Sequence, residues 1–191
     1  MYYLAFDCET TGLLPKCNVL TVYFIILDSQ LNKLDELDIK IKYDYYLIFT
    51  AALTVNKINL IEHDKIAITK SEAIKQILNF LNKYNTNNEM KYHIIGHNIT
   101  FDINMLLSNN ILTNSDVSKY FDKNNYFDTF KIAKLLKSKQ KINKCQSLSL
   151  SKLCYYFDIN LDDDENFHNC KYDTESTVQL FKKLIELQQS N

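Results

Sequence analysis

Arginine is absent from this 191-residue chain. All 22 basic side chains are lysines, set against 23 Asp and Glu, for a formal net charge of −1. That balance, with no basic tail, excludes a broadly basic nucleic-acid coat. Glycine occurs twice and proline once, so no flexible linker divides the sequence. Hydrophobic residues make up 46% of it, enough for one sizeable core, and a single domain over 1–191 is expected. No apolar run approaches the ~20 residues that cross a bilayer. The opening MYYLAFDCET lacks the basic start of a signal peptide and turns acidic at Asp7. A soluble, intracellular protein with no membrane partner is the expectation. The five cysteines, Cys8, Cys17, Cys145, Cys154 and Cys170, form no CxxC pair. A zinc ribbon or disulfide framework is therefore not expected, and buried reduced thiols are.

What is present is patterned for an α/β fold. Tyr2 to Asp7 reads as a short buried strand, followed by the turn TTGLLP. Val19 to Asp28 is β-branched and aromatic, and Lys33 to Lys42 supplies a third strand, so the chain opens as an antiparallel meander. Thr69 and Glu72 fit a capping box before a helix carrying Ile74, Ile77, Leu78 and Leu81 inward. Tyr92 to Gly96 is an apolar strand. Helices are predicted over Thr100 to Leu107, Asp128 to Leu136, Leu148 to Phe157 and Asp173 to Leu187. Strands followed by helix–strand–helix alternation imply a mixed sheet between helices. The acidic run Asp162 to Glu165 reads as a solvated loop.

Three blocks of carboxylates stand out. Asp7 and Glu9 are two apart, so a strand projects both to one face. Two such groups at a strand end repel unless a cation lies between them, and Mg²⁺ favours such oxygens. Asp102 follows an apolar strand in GHNITFD and would sit in the first turn of a helix at the carboxyl edge of the sheet, where α/β sites gather. His168 and Asp173 are five apart, or about 140° around a helix, so His168 fits better on the loop before the last helix. Taken singly, each block is explained by polar turn and helix-start residues. Taken together, four acids can hold two metal ions about 3.5–4 Å apart, and a nearby His of ordinary pKa can accept a proton from water near neutral pH.

The stretches FDCETTGL, GHNITFD and HNCKYD resemble the three exonuclease motifs of the DEDD superfamily, histidine branch. That branch includes the proofreading subunit of bacterial replicative polymerase, RNase T, oligoribonuclease and the TREX nucleases. ALTVNKIN, DTFKIAKLL and DTESTVQLFKKLIEL resemble intervening family segments, so nearly the whole chain is covered in order. The resemblance implies a ribonuclease H-like fold with a five-stranded mixed sheet flanked by helices. It implies a 3′→5′ exonuclease in which Asp7, Glu9, Asp102 and Asp173 hold two Mg²⁺ ions, with Mn²⁺ able to substitute, and His168 is the general base. Thr10, Thr11, Gly12 and Leu13 match the turn that holds the terminal 3′-hydroxyl and wedges against the last base. Asn98 and Phe101 match residues lining the terminal nucleotide's site, although core packing also explains Leu13 and Phe101. Two departures are visible. Cys170 stands where family members often have a small residue, and Asn56-Lys57 stands where His-Gly is common.

The partner expected is a nucleic-acid 3′ end, single-stranded or frayed, with DNA narrowly preferred. The same motifs serve exoribonucleases, and the fold alone also serves non-catalytic binding modules. No polymerase domain or clear clamp-binding peptide identifies a protein partner. Gln76 to Phe80 suggests such a peptide faintly, but Ile77 and Leu78 fit the core face of a helix.

Overall fold

A computed structural model describes residues 1–85, 90–159 and 168–189. The acidic run Asp162 to Glu165 lies outside the described residues. Six strands form one sheet: β1 (Tyr3–Thr10), β2 (Val19–Leu27), β3 (Lys33–Lys42), β4 (Ile68–Thr69), β5 (Tyr92–Gly96) and β6 (Phe121–Asp128). The described helices are α1 (Thr50–Asn56), α2 (Leu60–Ile66), α3 (Lys70–Asn82), α4 (Thr100–Ser108), α5 (Asn114–Tyr120), α6 (Thr129–Ser138), α7 (Leu150–Tyr156) and α8 (Cys170–Gln189).

The sheet order is β4-β3-β2-β1-β5-β6. β1, β2 and β3 form the expected antiparallel meander, while β5 lies parallel to β1 and β6 parallel to β5. The sixth strand beyond the expected five is β4, two residues paired parallel to the end of β3.

β1 sits at the centre because it is apolar on both faces along its first half. Leu4 and Phe6 pack with α3, α4 and α5 residues, including Ile77, Leu106 and Val117. Ala5 faces the opposite side and packs against Val178 and Phe181 of α8. A further cluster joins α6, α7 and α8 through Leu136, Leu153 and Leu184. Helices thus cover both faces of the mixed sheet.

Besides β4, four described elements were not read from the sequence pattern. α1, α2 and α5 are each seven residues long, too short for a helical period to declare itself. β6 reads FDKNNYFD. Its register against β5 jumps from Tyr92↔Phe121 to Ile94↔Tyr126, so residues 122–125 bulge out of the ladder and carry no alternating pattern. The capping geometry also differs from expectation. At α3, Thr69 accepts from the Glu72 N–H, but the Glu72 carboxylate accepts from Gln76. The reciprocal box is formed at α5 by Thr113 and Asp116. Ile77 and Phe80 of the Gln76–Phe80 segment are buried in the core, which accounts for their apolar character.

Candidate active site

The second half of β1 differs from the first. Asp7 and Glu9 take the face turned to α8 and are half-buried. Between Glu9 and Thr10 the pairing to β2 shifts, from Glu9↔Thr21 to Thr10↔Val19. Such a bulge twists a strand and redirects the chain beyond it. Here it leads into the Thr10–Leu13 turn.

Two helices and the loop before the second of them converge on this strand end. α4 contributes Asp102 from its first turn, and the side chain is buried. Asp102 Oδ1 accepts from the Cys8 backbone N–H at 3.0 Å and from the Cys8 thiol at 3.1 Å. α8 contributes Asp173, also buried and in the first turn. Asp173 Oδ2 accepts the backbone N–H of His168 at 3.1 Å, while its Oδ1 is buried with no hydrogen-bond partner. His168 lies before α8, as its spacing from Asp173 favoured, in the left-handed region at φ 74°. Ligand atoms of Glu9, His168 and Asp173 lie within 4.8 Å of one another, and so do those of Asp7, Glu9 and Cys170.

Crowding and burial set the protonation of this cluster. Burial, followed by the charges of Asp102, Glu9 and Asp173, pushes the Asp7 carboxyl well above the usual range. Glu9 is raised to about 8, by burial first and then by Asp173. Burial raises Asp102 and Asp173 to about 7, opposed by the Cys8 bonds and the His168 N–H respectively. Burial is the leading cause at all four acids, and repulsion from the other carboxyls adds to it at Asp7 and Glu9. A divalent cation reverses these shifts, and the unpartnered Asp173 oxygen offers a donor nothing else satisfies. The residues therefore fit a hard divalent ion bound by carboxylates. His168 is shifted the other way, downward, by partial desolvation and by nearby Lys57, which favours the neutral imidazole near pH 7.

Beside the cluster is a cavity of about 600 Å³, largely apolar, whose wall includes Glu9, Leu13, Phe49, Val55, Phe101 and His168. Thr10 and Gly12 also line it. The other residues expected to hold substrate take different places. Thr11 is fully buried; its hydroxyl donates to Leu47 at 2.6 Å and accepts the Asn18 N–H at 2.9 Å, so it ties the turn to the chain after β3. Gly12 is required by close packing: a Cβ there would stand 2.7 Å from Phe49 and 2.8 Å from Cys17. Asn98 is exposed, left-handed at φ 59° and outside the cavity wall. Its backbone N–H donates to Asp128 Oδ1 at 2.9 Å.

Several residues were missed by reading the sequence. Phe49 and Val55 belong to the short α1 region, which had no legible period. Asn56 ends α1, is buried, donates to the Thr10 carbonyl at 3.1 Å and bonds to the Glu9 side chain. Its position was visible only as a departure from His-Gly. Asp128 is buried, caps α6 through the Phe130 N–H and holds the Asn98 loop. An Asp directly before a helical run was the available signal.

Comparison with known proteins agrees with this fold. Escherichia coli exonuclease I, in a zinc-bound complex with single-stranded DNA, superimposes with a TM-score of 0.79 at 20% identity, over 98% of this chain and 41% of that one. The same enzyme with a dT13 oligonucleotide gives 0.75 at 18% identity, over 98% and 41%. A moderately thermophilic exonuclease I from Methylocaldum szegediense gives 0.74 at 18% identity, over 98% and 41%. The chain thus spans about two-fifths of the length of these enzymes. No curated protein matches it by sequence. Residues 4–181 match the RNase_T exonuclease family, and the chain belongs to that family.

Proposed function

We propose that residues 1–191 form a single metal-dependent exonuclease domain that removes nucleoside monophosphates from 3′ ends, with DNA narrowly preferred, as in proofreading or repair. The observation that carries this reading is the grouping of Asp7 with Glu9 and of Glu9 with His168 and Asp173, with the Asp102 charge acting on Asp7 and Glu9, beside an open apolar cavity that Glu9 and His168 help to line. Two Mg²⁺ ions, with Mn²⁺ as a substitute, would be held by the four carboxylates and supply charge stabilisation for phosphodiester hydrolysis. The chain's own residues do the rest. The cavity takes the terminal nucleoside, with its base against Phe101 and Val55. Leu13, 81% exposed, stands where it can separate the last base from its neighbour. His168, held neutral, accepts the proton of the attacking water, while the bond from its backbone N–H to Asp173 fixes the loop that carries it.

The lack of arginine and the net charge of −1 favour a short footprint on the last few nucleotides. A single strand threads its end into the cavity, whereas a duplex end must first unpair, at about 1.4 kcal/mol per base-pair step. Distributive action on single-stranded or frayed ends inside the cell follows from this reading. The single-stranded DNA bound by the structurally similar exonuclease I chains supports DNA over RNA. The test compares cleavage rates in Mg²⁺ on matched, end-labelled DNA and RNA oligonucleotides, single-stranded and blunt duplex. The expected order places single-stranded DNA first. Faster cleavage of RNA would make the protein an exoribonuclease, and no cleavage of any of the four would overturn the enzymatic reading.

A further inference from the structure

The carboxylate cluster includes one sulfur donor. Cys170, the first residue of α8, is buried. Its Sγ and the carboxylate oxygens of Asp7 and Glu9 lie within 4.8 Å of one another. Metal–donor bonds of about 2.0–2.3 Å in a tetrahedral zinc site separate the donors by roughly 3.3–3.8 Å, so a small inward movement suffices. The adjoining Asp173 Oδ1, buried and without a partner, belongs to a carboxylate that shares Glu9 with this group. On its other side the sulfur is 2.9 Å from the Thr21 hydroxyl. Thr21 pairs directly with Glu9 across β1 and β2. Once the thiol proton is gone, that hydroxyl can donate to the sulfur and orient it, as groups behind a metal ligand commonly do.

We propose that Asp7, Glu9 and Cys170 form a mixed oxygen–sulfur site for a thiophilic divalent cation such as Zn²⁺, overlapping the carboxylate site for Mg²⁺. The proposal rests on reading the carboxylates as a cation site. Mg²⁺ is hard and leaves the thiol as S–H. A thiophilic ion forms a metal–sulfur bond while the S–H bond breaks heterolytically, and the proton passes to solvent. Two ions of the same charge thus occupy one cluster in different ways, and Zn²⁺ competes with Mg²⁺ through a ligand that Mg²⁺ does not use.

The probe is Cd²⁺, whose bond to a thiolate gives an ultraviolet charge-transfer band. Titrating the intact protein should produce this band at one equivalent. It should be lost in Cys170→Ser and retained in a Cys145→Ser/Cys154→Ser double variant, whose sulfurs lie in the α6–α7–α8 cluster. Zn²⁺ affinity should fall at least about tenfold in Cys170→Ser, a change of about 1.4 kcal/mol, with Mg²⁺ affinity much less affected. Cys170→Ala, with circular dichroism to verify folding, provides a second variant. No band in the wild-type protein, or an undiminished band in folded Cys170→Ser or Cys170→Ala, overturns the proposal. A Cd²⁺ band that depends on Cys170 in a protein without Mg²⁺-supported cleavage would instead refute the nuclease reading and leave the thiophilic site standing.

Discussion

The two halves of β1 run on one continuous backbone and are built on opposite terms. From Leu4 to Phe6 every side chain is apolar and at most 2% exposed. From Asp7 to Thr10 the strand carries two half-buried carboxyls whose neighbours are further carboxyls. The first half gains stability by removing apolar surface from water. The second half gives up stability, because clustered acids without a counter-ion are held partly protonated in a dry site. The bulge at Glu9/Thr10 marks where the strand leaves its regular ladder for the site. Stability and chemistry are thus divided along one strand, which is a common way for an enzyme to hold an unfavourable cluster in place.

The largest expected contrast comes from neighbouring residues. Phe6→Ala should destabilise the fold by about 3–5 kcal/mol, the usual range for emptying a buried aromatic position. Asp7→Ala should abolish cleavage while metal-free thermal unfolding stays the same or moves upward. Melting curves and oligonucleotide assays on both variants check this. Equal destabilisation by the two, or near-normal turnover in Asp7→Ala, would erase the contrast.

His168→Ala should slow cleavage by about 10²–10⁴-fold, the range for loss of a general base, with divalent-ion binding retained. In the proposed role the neutral imidazole is the active form, and its pKa is lowered, so the wild-type rate should hold near neutrality and decline on acidification. Wild-type rates in the variant across pH 6 to 9 would remove His168 from the chemistry.

A smaller effect lies in the pH dependence of the metal-free protein. Carboxyls raised to about 8 for Glu9 and about 7 for Asp102 and Asp173 stabilise the fold fully below their unfolded values of about 4. That contribution is lost progressively as pH rises above about 4 and is gone once pH has passed 7 and 8. The melting temperature should therefore fall over this window more steeply in the wild type than in Asp173→Asn, which removes one of the charges. Parallel curves would show that the cluster does not carry the shift.

The smallest expected effect concerns substrate binding. With no arginine and a short footprint, log K should fall with log[salt] at a slope of only about 2–3 in magnitude, equivalent to three or four single-strand phosphates. A steep slope would require a lysine surface that the site does not explain.

The fold was legible where pattern is dense. β1, β2, β3 and β5 are apolar or alternating enough to be read directly, and α8 carries Val178, Phe181 and Leu184 at helical spacing. Its start was not: Cys170–Tyr172 form its opening turn, yet only Asp173 onward looked helical. β6 was hidden because its four polar residues bulge away from β5. In the site, acids and His168 were readable because their residue types recur in fixed local contexts. Tertiary contact decided the rest. Nothing adjacent in sequence shows that Thr11 ties a turn to Leu47, that Asn56 reaches Glu9 or that Asp128 holds Asn98.

The division of β1 is tested most directly by thermal unfolding of the wild-type protein and Asp7→Ala, each without metal and with saturating Mg²⁺. An ion bound only by the folded state stabilises it by about 2.7 kcal/mol at 100-fold excess over Kd. The expected result is a clear rise in the wild-type melting temperature with Mg²⁺ and little or none in Asp7→Ala. An unchanged wild-type melting temperature, or the same rise in both proteins, would contradict a strand end organised around a cation.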